Sequence, residues 1–557
     1  MTVLRVGCIM DKGPQPQHAR ELIELAQSSP HYSVCLLVIR EPATIGDERR
    51  NGDAAGAGRD GVANALERWV FRVIGKLERL LVGRLPGVPE SFRTCRREGL
   101  AISTLRVQAP GPDRGTSLRY DPDDVSRLRE HELDVLICCA GGGTPGGEIV
   151  AGARLGLLSL RYGDPAAPHG GPPGFWEVYH RNPSSRFRIE RVTARGDGAA
   201  VLCEGGIYTS PFHTLNSVRL LRKSAVFAHR LLERVAKEGS FPTAARRASP
   251  SPSRPQVPPL KVQLAYVART AVHFLERASR RMVGFRWRWS VAYQFTDNWR
   301  EADLPKSRVI ENPRGRYFAD PCVVRRDGRS VCFVEDYHCR SSSARITALG
   351  LDPEGYEELG VALSESFHLS YPFVFEAGGE LYMCPETEEA RDIRLYRCTR
   401  FPLEWSLHRI LIRGVAAVDT SIAFHDGRWW LLTNIDSADM GDYRSELHLF
   451  HAETFDSERW QPHPENPVVL DSDRARNGGL FQVEGTLYRV FQVHGFDVYG
   501  QSMGVARITE MSTEHYSEEV VARIAPDFFP GIDGTHAMSY DGSVLALDFV
   551  RRQRCSR

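Results

Sequence analysis

The 557 residues are 42% hydrophobic and 25% charged, with a formal net charge of +1. This composition is that of an ordinary soluble globular chain, and the near-zero charge argues against a general nucleic-acid binder. The sequence shows neither a run of 18 apolar residues nor an amino-terminal signal peptide, so we expect a cytoplasmic protein without a membrane span. The twelve Cys lack CxxC spacing and any Cys/His spacing that suits zinc, which predicts reduced thiols and no bound metal.

The first half of the chain alternates between strand-like and helix-like segments. Strands are predicted at residues 4–10, 32–39, 133–140 and 157–160, and helices at 16–26, 63–81 and 149–155. The run LDVLICCA at 133–140 is almost continuously apolar, as expected of a central strand in a parallel sheet. Such alternation predicts a Rossmann-like α/β sheet whose site lies at the carboxyl ends of its strands. Residues 43–62 are mostly Gly, Ala, Asp and Arg without periodicity, so we expect a flexible insert there.

A stretch rich in Pro, Ser and Arg separates the two halves. Residues 240–259 read SFPTAARRASPSPSRPQVPP, which is the composition of a linker. Residues 262–282 are predicted to form a basic amphipathic helix, which either packs between domains or lies on an anionic membrane surface. The predicted organisation is therefore a domain over 1–235, a linker and helix over 236–285, and a second domain over 286–557.

Five hairpin-like segments in the second half repeat one pattern. They begin DPCVVRRDG at residue 320, YPFVFEAGG at 371, DTSIAFHDG at 419, NGGLFQVEG at 477 and GTHAMSYDG at 534. Dipeptides such as Asp-Gly between apolar alternating runs are a strong hairpin signal. The turn glycines at 328, 379, 427, 485 and 542 are 51, 48, 58 and 57 residues apart. Repetition of one small sheet about every 50 residues predicts an all-β, five-bladed propeller. The aromatic strand at 287–293 is expected to pair with the strand near 545–549 and close the ring.

The same polar positions recur in successive hairpins. The residues eight positions before the turn Gly are Asp320, Tyr371, Asp419, Asn477 and Gly534. The residues seven positions after it are Glu335, Glu386, Asn434, Gln492 and Phe549. None of the ten is Val, Ile or Leu, the residues that fill a β-core. We therefore expect side chains that converge on a central funnel, with solvated blade edges as the alternative.

The segment LDVLICCAGGGTPGGEIVAGARLGLLSLRYGDPAAPHGGPPGFWEV resembles the core of the formyltransferase family, which includes methionyl-tRNA and sugar N-formyltransferases. This resemblance covers about residues 1–235 and implies a formyl group supplied by 10-formyltetrahydrofolate. In the alignment Ser159 replaces the family's Asn, Arg161 its His and His169 its Arg, whereas Asp197 retains the catalytic Asp. An always-charged guanidinium cannot act as a base, so ordinary formyl transfer is not expected. A retained binding domain or transfer with rearranged groups are the alternatives.

The second half resembles the propellers of arabinanase-, invertase- and levansucrase-like glycosidases through RYFADPCVV, FVEDY and DTSIAFHDGRWWLLTN. HPENPVVLDSDRARNGG, LYRVFQ and DGTHAMS are similar to the amino-terminal domain of plant glucosamine inositolphosphorylceramide transferases. The glycosidase resemblance implies catalytic roles for Asp320 and Asp419, and it places Asn477 where a fourth-blade acid would stand. Glu386 or Glu335 could then supply the acid that glycoside cleavage needs. The residues expected to bind a sugar or a phosphate are Arg474, Arg476, Asn477, Gln492, Tyr499 and His536.

Together these features predict a carbohydrate-active protein of bacterial polysaccharide or glycoconjugate metabolism, with a sugar or glycoconjugate as its partner. Two alternatives stay open: a non-catalytic carbohydrate-binding or scaffold protein, and an active sugar N-formyltransferase that uses 10-formyltetrahydrofolate.

Overall fold

The computed structural model describes residues 3–12, 17–41, 57–85, 102–108, 120–139, 147–163, 171–193, 199–243, 246–248, 257–282 and 285–554. Two predicted site residues, His169 and Asp197, lie outside these ranges, as does the 43–56 part of the predicted insert. The chain divides into two compact units. Residues 1–272 with 437–440 form the first unit, and residues 273–436 with 441–557 form the second.

An eight-stranded mixed sheet runs through the described part of the first unit. Its strands are β1 (Leu4–Asp11), β2 (Tyr32–Glu41), β3 (Ser103–Gln108), β4 (Val135–Cys138), β5 (Leu157–Tyr162), β6 (Ser184–Val192), β7 (Ala199–Tyr208) and β8 (Arg246–Arg247). Their order is β3-β2-β1-β4-β5-β6-β7-β8. The first five strands are parallel and the last three are added in antiparallel pairs. The predicted α/β sheet is therefore confirmed, while its formyltransferase type stays a prediction.

Strand β4, from the apolar run of the sequence, lies at the centre of this sheet. All four residues of β4 are buried, and Leu136 and Ile137 are fully enclosed. A strand with neighbours on both sides and helices on both faces needs apolar side chains in both directions, which explains the continuous run. Cys138 and Cys139, adjacent in sequence, are buried here as thiols.

Six α-helices accompany the sheet within the described ranges. They are α1 (Gln17–Ser28), α2 (Ala57–Val82), α3 (Pro122–Arg129), α4 (Phe175–His180), α5 (His213–Glu238) and α6 (Leu260–Met282). The flexible insert was predicted too long, because α2 already begins at Ala57 and its helical run takes up residues 57–62. The helix predicted at 149–155 is a 3₁₀ helix at Gly147–Gly152. Over the same residues, none of the helices combines the length and the apolar character that crossing a lipid bilayer requires.

The second unit is a five-bladed β-propeller, as predicted. Blades I and II consist of β11 (Arg316–Arg326), β12 (Arg329–His338), β13 (Ser343–Leu351), β14 (Tyr356–Leu363), β15 (Ser370–Ala377), β16 (Glu380–Glu386), β17 (Asp392–Arg400) and β18 (Glu404–Arg413). Blades III and IV consist of β19 (Ala417–His425), β20 (Arg428–Ile435), β21 (Glu446–Ala452), β22 (Gln461–Pro462), β23 (Val469–Leu470), β24 (Asn477–Val483), β25 (Thr486–Gly495), β26 (Val498–Met511) and β27 (Tyr516–Ile524). Blade V consists of β9 (Phe285–Phe295), β10 (Arg308–Ile310), β28 (Ile532–Gly534), β29 (Met538–Tyr540) and β30 (Val544–Arg554). Short 3₁₀ helices lie at Trp299–Glu301, Leu304–Lys306 and Glu388–Ala390.

The inner hairpins use the turn chemistry that the sequence predicted. In blade I, Asp327 and Gly328 have φ values of 52° and 75°, so both central residues of the two-residue turn are left-handed. This is the backbone of a type I′ turn, whose twist matches that of the flanking strands. The same two-residue connection joins the inner strands of blades II, III and IV.

Blade V joins the two ends of the propeller. Strand β9 pairs antiparallel with β30, with Gln294 opposite Leu545 and Ser290 opposite Phe549. The predicted ring closure is therefore confirmed. Apolar cores between neighbouring blades hold the ring together, such as the one between blades I and II around Phe333, Leu369 and Met383. Because every blade packs on two neighbours, the inner strands are held in fixed positions around the central axis.

Candidate functional site

The inner strands of blades I to III carry the same local irregularity. Asp320, Tyr371 and Asp419 have φ values of 49°, 45° and 51°, in the left-handed region that such residues seldom adopt. At each of these positions the pairing with the second strand shifts by one residue, which is a β-bulge. A bulge re-aims side chains, and here all three residues become buried at the propeller centre. The backbone thus adopts an unfavourable conformation to direct these three side chains inward.

Side chains of one blade accept hydrogen bonds from the inner backbone of the next. The N–H of Tyr371 donates to Asp320 Oδ2 at 3.2 Å, and the N–H of Asp419 donates to Glu386 Oε2 at 3.3 Å. The N–H of Asn477 donates to Asn434 Oδ1 at 2.9 Å. These contacts explain why the sequence repeats polar residues at the inner positions, since each one satisfies a buried N–H at a blade junction.

The fourth and fifth blades approach each other too closely for ordinary side chains. A Cβ on Gly478 would lie 2.3 Å from the carbonyl oxygen of His536, and one on Gly479 would lie 2.1 Å from that of Met538. Two adjacent glycines therefore permit the contact between the blades. Asn477, just before them, is fully buried and donates from Nδ2 to the carbonyl oxygen of Asp419 at 2.9 Å.

For blade V, the prediction that Gly534 and Phe549 lie at the inner positions is wrong. Phe549 lies in the apolar core of the blade, and Gly534 ends the short strand β28. The two inner strands of this blade are joined by four residues instead of two, since Tyr540 pairs with Leu545. Because this turn is longer, the residues at the predicted offsets from the turn glycine no longer face the centre of the propeller. His536 and Asp548 occupy the centre instead of Gly534 and Phe549. Asp548 accepts from the N–H of His536 at 2.9 Å.

Five carboxyl groups converge on this centre from four blades: Asp320, Glu335, Glu386, Asp419 and Asp548. Burial raises the pKa of Asp320 to about 6, with Asp548 and Asp419 adding to the rise and His536 opposing it. Burial also raises the pKa of Glu335 well above its usual range, helped by the charge of Asp320. The pKa of Glu386 is raised well above its usual range by burial and by Asp419, against the opposing charge of Arg476. Each glutamate thus lies beside an aspartate and holds its proton more tightly than a carboxyl group in water.

Arg476 supplies positive charge to one of these pairs. Its Nε donates to Asp419 Oδ2 at 2.6 Å, and its Nη2 lies 3.9 Å from Glu386 Oε2. Gln492 donates from Nε2 to the same Asp419 oxygen at 3.0 Å. Asp419 is therefore fixed by two donors, while Glu386 keeps the most exposed side chain of these acids, at 16%.

His536 lies between two of the acids, Asp320 and Asp548. Its Nε2 is 3.3 Å from Asp320 Oδ1 and its Nδ1 is 2.7 Å from Asp548 Oδ2. Burial alone would lower the pKa of His536, but Asp548 and then Asp320 raise it above the ordinary value. Ligand atoms of these three residues lie within 4.8 Å of one another, so the group could also hold a cation. A proton on the imidazole would compete with that cation.

Aromatic rings form a wall beside the acids. The Tyr499 ring stacks on His494 at 5.3 Å, and the guanidinium carbons of Arg476 and Arg444 lie 5.4 and 5.6 Å from its centroid. Trp289 lies over His536, with ring centroids 4.0 Å apart. Such rings offer apolar faces next to polar groups, which is the kind of surface that a sugar ring covers. From Asp320 and Tyr371 a cavity of about 490 Å³ continues along the inner strands of blades I, II, IV and V.

The structure thus brings together most of the predicted site residues of the second unit. The exception is Arg474, whose side chain is exposed and whose carbonyl oxygen accepts from Arg489 Nη2 at 2.8 Å. Burial raises the pKa of Glu518, but Arg489 first and then the charge of Arg474 bring this pKa below the ordinary value. Sequence reasoning missed Asp548, Trp289, His494 and Arg444. Only Asp548 had a visible signal, as the lone charge in the apolar run VLALDFV.

In the first unit, Ser159 and Arg161 lie on β5. Ser159 is buried opposite Glu190, and Arg161 lies opposite Arg188 in the pair of β5 with β6. Arg161 Nε is 3.8 Å and Arg188 Nη1 is 3.2 Å from Glu190 oxygens. Burial lowers the pKa of Arg161, and Glu190 counteracts this effect. The arginine therefore has an internal carboxylate partner near the carboxyl end of β5.

Comparison with known proteins gives matches for the propeller. Residues 316–527 match the family model described as glucosamine inositolphosphorylceramide transferase 1, N-terminal. Glucosamine inositolphosphorylceramide transferase 1 of Oryza sativa subsp. japonica is 40% identical over 208 residues, which are 36% of this chain and 27% of that protein. The Arabidopsis thaliana protein of the same name is 38% identical over 207 residues, with the same two coverages. The chain thus spans about a quarter of the length of the curated relatives it matches. The predicted similarity to the amino-terminal domain of these transferases is confirmed for this region.

Two of the solved structures with similarity are glycoside hydrolases. The catalytic domain of the Coprinopsis cinerea GH62 alpha-L-arabinofuranosidase has a TM-score of 0.33 and 12% identity, and the match covers 48% of this chain and 98% of that one. Zg3597, a family 117 glycoside hydrolase of Zobellia galactanivorans, has a TM-score of 0.32 and 10% identity, and the match covers 47% and 90%.

Proposed function

We propose that the propeller funnel binds a sugar or glycoconjugate and performs acid–base chemistry on it. The observation that carries this proposal is the buried cluster of five carboxyl groups with raised pKa values at Asp320, Glu335 and Glu386. Burying so many acids beside one another is costly, and such clusters are typical of catalytic or binding sites. The similarity to transferases whose name contains glucosamine and inositolphosphorylceramide supports a sugar-containing substrate.

Glu386 is the proposed proton donor. Its raised pKa means that it holds its proton more tightly than an ordinary glutamate, and its side chain is more exposed than those of Asp320 and Asp419. Asp320, with its pKa of about 6, is the proposed proton acceptor, because it is mostly ionised at neutral pH. Cleavage or transfer at a glycosidic bond requires two acids of which one keeps its proton more tightly than an ordinary carboxyl group while the other is ionised.

The remaining residues would hold the substrate. Arg476 and Gln492 fix Asp419, which is thereby oriented to accept hydrogen bonds from sugar hydroxyls. Tyr499 and Trp289 provide ring faces for the apolar side of a sugar. Arg444, near the Tyr499 ring, adds positive charge that suits a phosphate attached to the sugar.

The test combines binding and turnover with a panel of glycans, nucleotide sugars and glycolipids, followed by mass spectrometry. Glu386→Gln should still bind a ligand that the native protein binds, while its turnover falls by about 10²- to 10⁴-fold, as for loss of a general acid. Glu404→Gln is the matched control, because Glu404 is an exposed glutamate on the outer strand of the same blade. If Glu386→Gln turns over substrate at the native rate, the assignment of the acid is wrong. Binding without turnover by the native protein would instead favour the non-catalytic carbohydrate-binding alternative.

Formyl transfer by the first unit is a second proposal. The parallel order β3-β2-β1-β4-β5 and the partly buried Arg161 near the carboxyl end of β5 favour it. A guanidinium in this position could stabilise the oxyanion formed when an amine attacks 10-formyltetrahydrofolate. The measurement is the consumption of 10-formyltetrahydrofolate with amino sugars, in the native protein and in Arg161→Gln. Consumption that is equal in the two proteins, or absent from both, would contradict this role of Arg161.

A further inference from the structure

Helix α2 exposes an apolar stripe on its outer side. Trp69, Leu77 and Leu80 are 60%, 57% and 76% exposed, and Leu66 and Leu81 are exposed as well. Positions 66, 69, 77 and 80 follow the spacing of one helix face. A patch of large exposed apolar side chains is unusual on a soluble protein and marks an interaction surface.

The opposite side of α2 is already buried in the first unit. Ile74, Glu78 and Val82 are 8%, 5% and 3% exposed. Glu78 accepts from the N–H and the hydroxyl of Thr214 at 3.0 and 2.8 Å. The helix is therefore anchored by one face, and the apolar stripe lies on another.

Both acidic residues between positions 65 and 85 point toward the protein. Glu78 is the buried acceptor just described, and it also accepts from the Tyr266 hydroxyl. Glu67 accepts from the N–H of Leu260 at 3.1 Å, and its carbonyl oxygen accepts from Gln263. The outer surface of this segment consequently carries no exposed carboxylate among the described residues.

Five exposed basic residues remain on this surface: Arg68, Arg72, Lys76, Arg79 and Arg84. The whole chain has a net charge of only +1, so α2 concentrates positive charge locally. Four of them lie along one side of the apolar stripe, because positions 68, 72, 76 and 79 share a helix face. Helix α6, which contacts α2 through Glu67, also exposes apolar side chains in the same unit, at Leu264 and Val267.

We propose that α2, with the adjoining first part of α6, docks the protein on an anionic phospholipid surface. The apolar stripe would enter the boundary between headgroups and acyl chains, while the basic row contacts anionic headgroups. The charge pattern favours this occupant, because a purely apolar protein partner would not require a row of exposed basic side chains beside the stripe. This inference does not depend on the proposed function of the propeller.

The test is flotation of the full chain with vesicles of phosphatidylcholine alone and of phosphatidylcholine mixed with phosphatidylglycerol. We expect binding to the anionic vesicles only, weakening with salt as the screening length falls from about 10 Å at 0.1 M to about 3 Å at 1 M. Leu77→Gln combined with Leu80→Gln should weaken the binding by about tenfold or more. Arg72→Gln, Lys76→Gln and Arg79→Gln together should do the same at low salt. Trp69→Phe should retain binding but reduce the shift in tryptophan emission that vesicles cause.

The matched control removes three positive charges from other helices of the same unit. Arg129→Gln, Arg234→Gln and Lys237→Gln change exposed residues of α3 and α5. This variant should bind anionic vesicles like the native protein, and circular dichroism should show that all variants are folded. Native-like vesicle binding by both α2 variants would overturn the proposal. So would a native protein that ignores vesicles but forms dimers dispersed by the Leu77 and Leu80 changes, since the stripe would then be a protein interface.

Discussion

Replacing Asp320 by Asn should make the propeller more stable, and increasingly so as the pH rises. The folded-state pKa of Asp320 is about 6, against an ordinary value of 3.8. Because the folded state holds this proton more tightly, the associated stability is fully present below about pH 4 and is lost as pH rises through about 6. An amide carries no such proton and does not share this loss.

The size of the effect follows from the difference between the two pKa values. At about pH 8 the ionisation of Asp320 lowers the free energy of unfolding by about 3 kcal/mol, and at about pH 5 by roughly half of that. The advantage of Asp320→Asn over the native protein should therefore grow by about 1–2 kcal/mol between these pH values. For a domain of this size that corresponds to a rise in the Tm difference of about 2–6 °C.

Thermal unfolding followed by tryptophan emission suits this measurement, because seven of the nine Trp lie between residues 287 and 460. Asp327→Asn is the matched control: Asp327 is exposed in the first-blade turn and also has a left-handed φ, of 52°. Its Tm difference from the native protein should stay constant with pH. A Tm difference for Asp320→Asn that is constant or falls from about pH 5 to about pH 8 would refute the argument that this buried carboxyl group is held against its ionisation.

Three further substitutions test contacts outside the acid cluster. Gly479→Ala should lower the unfolding free energy of the propeller by about 2 kcal/mol or more, because its methyl group would meet the carbonyl oxygen of Met538; an unchanged urea midpoint would contradict this. Arg489→Met should cost about 3–5 kcal/mol by leaving Glu518 buried without its partner. Adding Glu518→Leu should restore most of that loss in the same urea titration, and failure of this rescue would mean that the pair is not the cause. Glu78→Ala should destabilise the first unit by about 3 kcal/mol, seen as faster proteolysis of that unit, since several buried donors would lose their acceptor.

The repeated hairpins made the propeller predictable, because turn dipeptides and spacing are local properties of the chain. The inner positions of blades I to III followed from one offset, since Asp320, Tyr371 and Asp419 share the same turn and the same bulge. The offset failed in blade V, where the longer turn brings His536 and Asp548 to the centre instead of Gly534 and Phe549. The length of a hairpin turn sets the pairing register of the two strands that it joins. The sequence alone does not show that the turn of blade V is longer than the turns of the other four blades.

The contacts of individual side chains were less predictable than the strands and helices that carry them. Nothing in the sequence distinguishes Arg474 from Arg476, although of the two only Arg476 reaches Asp419. Helix α2 was predicted from its periodicity, but apolar residues lie on two of its faces. Spacing alone could not show that Ile74 packs inward while Leu77 is exposed. Such assignments depend on the neighbouring elements that contact each face.

The pairing of β9 with β30 has a consequence for the order of events during synthesis. Strand Phe285–Phe295 must find a partner, Val544–Arg554, that is translated roughly 250 residues later. At about 5–20 residues per second, the ribosome needs on the order of 10 to 50 s to make that interval. During this time the first strand of the ring has no closing partner, and its backbone groups are available to other chains. The last strand, β30, therefore closes the ring, and the propeller is complete only when this strand has emerged from the ribosome.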